Sequence, residues 1–168
     1  GSPYGVAGWH INRGLSVTRD GSKVFLADES DDKIAMYEGM VVSSDSTYYV
    51  AGEDFKNTGL NNPKACEIDP TGRMWISDNG NQRVVVYDMD KTLIQVIDVP
   101  NPAGVAFDFT NNYVYTIQFG GDNLVHQFVP GVPLPNIPMD MVMEEMGNDG
   151  ELDTTWSFNK ANSGLGYG

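Results

Sequence analysis

The sequence is poor in the residues that most often announce chemistry. Among 168 residues there is one cysteine, Cys66, and there are two histidines, His10 and His126. A single thiol permits no intrachain disulfide and no zinc site built from thiolates. Set between Ala65 and Glu67 in a strand-like stretch, Cys66 reads as a small buried hydrophobe. Two imidazoles are few for a site that relies on histidine bases or metal-bound histidines, and His126 alternates with Leu124 and Phe128 as an ordinary strand residue would. Positive charge is scarce as well. Ten Lys and Arg face 23 Asp and Glu, a net charge of −13. Nucleic acid and anionic membrane surfaces need a basic face that displaces counterions, so neither is expected as a partner. Cations, glycans or other proteins fit better. No apolar run approaches the ~20 residues of a membrane helix, so no membrane insertion is expected. Residues 1–8 lack the charged-then-apolar order of a signal peptide. There is no Gly-x-Ser-x-Gly elbow and no glycine-rich phosphate loop.

What the chain does have is internal repetition. Residues 14–37, 62–87 and 101–128 share one pattern: an inner strand, a tight turn, a second strand, a polar loop and a third strand. Nineteen glycines and nine prolines are spread along the chain, as many short strands joined by turns require. A period of roughly 40 to 50 residues built from strands is the mark of propeller blades. The predicted fold is all-β, a single partial propeller of three four-stranded antiparallel blades at about residues 1–51, 52–99 and 100–160, with residues 161–168 leading toward a further blade. Strands are predicted at 14–18, 23–27, 33–37 and 47–51; at 65–69, 73–77, 83–87 and 92–99; and at 104–108, 113–117, 124–129 and 154–158. Phe25, Trp75 and Tyr115 fall at equivalent positions of the second strands, where large rings pack between blades. One stretch departs from this pattern. Met139, Val142, Met143 and Met146 have helical spacing, with Gly147 to stop the helix, and read as a packing or docking element.

The middle repeat resembles an NHL repeat. The matching elements are Pro63 before the inner strand, Asp69 after it, Gly72 in the turn, the loop from Asp78 to Asn81, and the strand from Arg83 to Asp88. The flanking repeats match less fully: Gln118 stands where Asp28 and Asp78 do, and Asn123 where Lys33 and Arg83 do. The resemblance implies a propeller of the six-bladed type. Three blades cannot close such a ring, since closure takes at least about four. Other copies of the chain, or missing blades of the same protein, are therefore the expected partners. The fold by itself hosts unrelated activities.

Four residues stand out as candidate binding residues: Trp9, His10, Arg13 and Glu67. The first three lie in an irregular insertion spanning residues 8–13, which would either line a pocket or, so near the terminus, serve packing. Glu67 aligns with Ser16 and Ala106 on the inner strands. A carboxylate near the axis must meet a cation, a donor or water, because burying it unpaired is costly. Glu67 is thus also the candidate metal ligand. The loops holding Asp28, Asp31, Asp32, Asp78, Asn79 and Asn81 are oxygen-rich enough to interest calcium. They do not follow the spacing of the helix-flanked calcium loop, and Asp and Asn at turns usually bond their own backbone. No cofactor is expected, and calcium is the candidate metal. Acidity, few histidines and an incomplete ring favour a non-catalytic extracellular or periplasmic propeller, a binding or structural module that builds a surface assembly. The alternative is part of an NHL-like enzyme, a metal-dependent lactone hydrolase or lyase with Glu67 holding a divalent cation on the axis.

Overall fold

The structure, a computed structural model, describes residues 12–42, 47–120 and 124–135. Regular structure in these residues is antiparallel β, apart from one 3-10 turn at Asn79–Asn81. The first sheet runs β1 (Asn12–Val17), β2 (Lys23–Asp28), β3 (Lys33–Val42) and β4 (Thr47–Ala51). The second runs β5 (Pro63–Ile68), β6 (Met74–Asp78), β7 (Arg83–Tyr87) and β8 (Leu93–Asp98). The third holds β9 (Ala106–Asp108), β10 (Tyr113–Ile117) and β11 (Val125–Phe128). In each sheet spatial order follows chain order, so every strand pairs with its neighbour in sequence. The fourth strand of the third blade and the helix around Met139 lie outside the described residues. β3 runs beyond its predicted end to Val42. It does so through an irregularity between Glu38 and Met40, where Gly39 takes φ +73°.

The turns are held by carboxylates that the sequence places just after or before strands. Asp69, 1% exposed, accepts from the Thr71 and Arg73 backbone N–H groups, Thr71 Oγ1, Arg73 Nε and Trp75 Nε1, at 2.5–3.1 Å. One buried side chain thereby closes the β5–β6 turn and fixes the Trp75 ring. Asp78, fully buried, accepts from Asn61 N–H, Asn81 Nδ2 and Arg83 Nε at 2.7–2.9 Å. Asp28 accepts from the backbone N–H groups of Ser30 and Asp31, and Asp32 from that of Asn62. These oxygens serve the backbone and the arginines. Asp32 and Gln82, each just before a third strand, take φ +53° and +56°, left-handed conformations at the end of the polar loop.

The registers confirm the repeat alignment. Ser16 pairs with Phe25, Glu67 with Trp75 and Ala106 with Tyr115. Directly paired residues share a sheet face, so each trio member points toward the following blade. Phe25 packs edge-to-face on Phe55, which packs edge-to-face on Tyr87, with centroids 5.5 and 6.4 Å apart. With Ile34, Cys66, Met74, Ile76 and Val85 they form the seam between the first and second blades. Trp75 meets Phe107 edge-to-face at 5.4 Å and, with Val84, Val86 and Val114, forms the seam between the second and third. Tyr115, the third ring of the set, is only half-buried. Inner strands β1 and β5 come close enough that a Cβ on Gly14 would lie 2.7 Å from the Ala65 Cα. Only glycine fits there. Just beyond it, the Ile68 N–H donates to Ser16 Oγ at 2.9 Å.

Candidate functional site at the axial mouth

The inner strands β1, β5 and β9 all begin at the same end of the sheets. In the first two blades the register slips by one residue at that end, between Asn12 and Leu15 and between Pro63 and Ala65. Such bulges re-aim a side chain, and the residues they carry are Arg13 and Lys64. The repeat position of these two is occupied by Ala103 in the third blade. Opposite them lie the residues that follow the second strands: Glu29, Asn79 and Phe119.

These residues converge across blades. Glu29 Oε1 accepts from Lys64 Nζ at 2.5 Å and Oε2 from Arg13 Nε at 2.6 Å. Lys64 Nζ also sits 5.4 Å from the centroid of the Phe119 ring. One lysine of the second blade therefore touches a carboxylate of the first and an aromatic of the third. Asn79 makes the matching link one blade on, donating from Nδ2 to the Pro102 carbonyl at 3.1 Å. The Lys64 ammonium beside Glu29, and then the Arg13 guanidinium, hold the Glu29 carboxyl below the usual carboxylate range. The Lys64 side chain is 9% exposed and that of Arg13 48%, so the mouth is walled by a fixed charge and open on the arginine side.

Glu67 lies three residues further along β5, roughly 10 Å deeper at the strand rise. It is half-buried on the Trp75 side of the sheet, and burial alone raises its carboxyl above the ordinary value. Among the described residues it has no hydrogen-bond or ion-pair partner. Of the other residues singled out by sequence, Arg13 belongs to the mouth, while Trp9 and His10 lie outside the described residues. His126 Nε2 meets Gln118 Oε1 at 3.1 Å. Burial pushes the Cys66 thiol up to about 12, which leaves it inert.

Sequence reasoning passed over Glu29, Lys64 and Phe119. The signal the repeat offers is partial: Glu29, Asn79 and Phe119 occupy one position after the second strands, and Ala103 stands where the other two blades carry Arg13 and Lys64. A second opening, a groove of about 770 Å³, lies at the opposite end of the sheets, between Thr18, Phe25, Met36, Phe55 and Met89. Of its two carboxylates, Asp20 and Glu53, the first is held by Thr18 and Ser22, which pull it down to about 2. Lys23 is paired with Glu38, and Lys91 donates to the Asp54 carbonyl.

Up-and-down sheets stacked face to face, with their inner strands gathered at one edge, define a β-propeller. The chain belongs to the SMP-30/gluconolactonase/LRE-like region family, whose model matches residues 6–118. That family, not the related NHL repeat, is the one matched. No curated protein sequence matches. Among solved structures, a luciferin-regenerating enzyme is similar at 15% identity and a TM-score of 0.59, over 74% of this chain and 47% of that one. The calcium-binding regucalcin of Agrobacterium tumefaciens is similar at 16% identity and a TM-score of 0.57, over 76% and 48%. A chain of a nidogen/laminin complex follows at 18% identity and a TM-score of 0.54, over 76% and 51%. At such identities the likeness shows the fold. The chain spans about half the length of these structures.

Calcium is named for the regucalcin. Among the described residues no three His, Cys, Asp or Glu side chains gather as a ligand set. Glu67 stands alone, and the mouth presents two cations, which would repel a divalent ion. The described donor set does not fit calcium.

Proposed function

We propose that this chain supplies half of a lactonase-like propeller, completed by further blades of the same kind, that takes up small cyclic esters through its axial mouth and opens them with water in the channel behind it. The observation that carries this reading is the convergence of Glu29, Lys64 and Phe119 from three blades on one end of the channel, in a member of the gluconolactonase-like family. Lactone hydrolysis needs a group that takes a proton from water and a polar site that receives the ligand. Burial without a partner raises the proton affinity of Glu67, which suits a base in the channel. The ~10 Å between Glu67 and Lys64 along the strand is too long for both to act on one atom. Lys64 and Arg13 therefore hold the remote end of the ligand while Glu67 faces the reacting end.

The test is pH-stat hydrolysis of sugar-acid γ-lactones by the purified protein and by Glu67→Gln, with circular dichroism to check the fold. The expected result is turnover by the parent and loss of at least tenfold in the variant, in line with removal of a general base. Equal turnover would remove Glu67 from the reaction. Failure of the parent on every lactone would leave the binding-module reading in its place.

A further inference from the structure

We infer that the open side of the Arg13–Glu29–Lys64 cluster binds the anionic group, carboxylate or phosphate, of a small ligand. The inference deepens the reading of the mouth as the ligand entrance and rests on it. Two positive side chains share one carboxylate here, so the cluster keeps a net positive charge in a chain whose overall charge is −13. Such a local surplus against the global sign attracts an anion.

The geometry leaves donors available. Glu29 engages Arg13 through Nε only, and among the described residues the two terminal guanidinium nitrogens have no acceptor. The fork they form matches the spacing of oxygens on a carboxylate or phosphate. Lys64 is held in place by Glu29 and the Phe119 ring at 9% exposure. Its charge is shielded less by solvent than that of a surface lysine. Register slips at the start of β1 and β5 aim both cations to the same end of the strands. Phe119, 59% exposed, offers an apolar face beside the charge for the body of the ligand. Ala103 contributes no charge at the equivalent position, so the anion seat lies between the first and second blades and the third supplies the apolar wall.

Titration calorimetry at neutral pH with glucuronate, whose carboxylate lies at the end away from C1, inorganic phosphate and uncharged sorbitol tests the proposal on the purified protein. Glucuronate, phosphate or both should bind, and sorbitol should not; which anion binds tells carboxylate from phosphate. Arg13→Met is expected to weaken binding about tenfold or more, the worth of a charge-assisted hydrogen bond. Glu29→Gln removes the competing carboxylate and is expected to strengthen binding several-fold, an outcome that a misfolded variant cannot imitate. Equal binding of sorbitol, no binding of either anion, or weaker binding in Glu29→Gln would overturn the proposal. Anion binding by a protein that hydrolyses no lactone would overturn the lactonase reading alone. Hydrolysis without anion binding would overturn this inference alone.

Discussion

Inside its outer strand β8, the middle blade is covered on both faces, and its neighbours on one. Every residue of β6 is buried, and so is all of β7 after Arg83. In β10 burial alternates, and Ile117 and its partner Val125 are 47% and 67% exposed. The first blade is the mirror case: Ser16 faces the second blade and is buried, while Leu15 and Val17 on the other face are 64% and 52% exposed. The same repeat thus yields a core residue or a bare one according to whether another blade follows. Stability in such an array lies in the seams between repeats. The two bare apolar faces are what further blades would cover, as proposed for a chain half the length of its structural relatives.

Equivalent rings allow that comparison to be broken. Trp75 is fully buried and gives its Nε1–H to Asp69, so Trp75→Ala should be the most damaging change, at about 3–5 kcal/mol, measured by urea unfolding. Tyr115→Ala, at the matching position of the third blade, should approach that cost in the native protein if a further blade covers the ring. A loss under about 1 kcal/mol would mean that the face stays open. Gly14→Ala sharpens the comparison at the axis. Its new methyl meets the Ala65 backbone at 2.7 Å, and a cost of about 1–3 kcal/mol is expected, with the β1–β5 contact opened. A neutral outcome would show that the inner strands are not held together there.

The two carboxylates of the channel should give smaller effects of opposite sign. Glu29 titrates below its usual range in the folded chain, so its contribution is present above the ordinary value of 4.5 and lost as pH falls through the depressed one. Glu67 titrates above 4.5, so burial favours its neutral form at low pH and penalises it as pH rises through the folded value. Thermal melts should therefore show Glu67→Gln slightly more stable than the parent at pH 7, with the gain gone by about pH 4. Glu29→Gln should be less stable at pH 7, with the difference shrinking in acid. The same sign for both variants at pH 7 would contradict the assigned environments.

The fold was legible because its determinants are local and repeated. Asp69 and Gly72 mark a turn, the loop from Asp78 to Asn81 marks the break between two strands, and Phe25, Trp75 and Tyr115 mark the seam in each blade. The site was less legible because it is assembled from different blades. Glu67 could be seen as odd within its own repeat, and Arg13 within the stretch before the first. The bond that organises the mouth, Glu29 to Lys64, links residues 35 positions apart in neighbouring blades. Each looks like an ordinary surface charge in sequence. Only the bulge at the start of β5, invisible in residue pattern, turns Lys64 toward its partner.

The claim that further blades cover both bare faces is tested most directly by thiol labelling of Val17→Cys and Val125→Cys in the purified native protein. The one native thiol, Cys66, is fully buried and supplies a silent background. Both new thiols should be protected in the native state and react at the rate of a free thiol once the protein is unfolded. Labelling of either position in the folded protein as fast as in the unfolded one would show that face to be bare and contradict the completed ring.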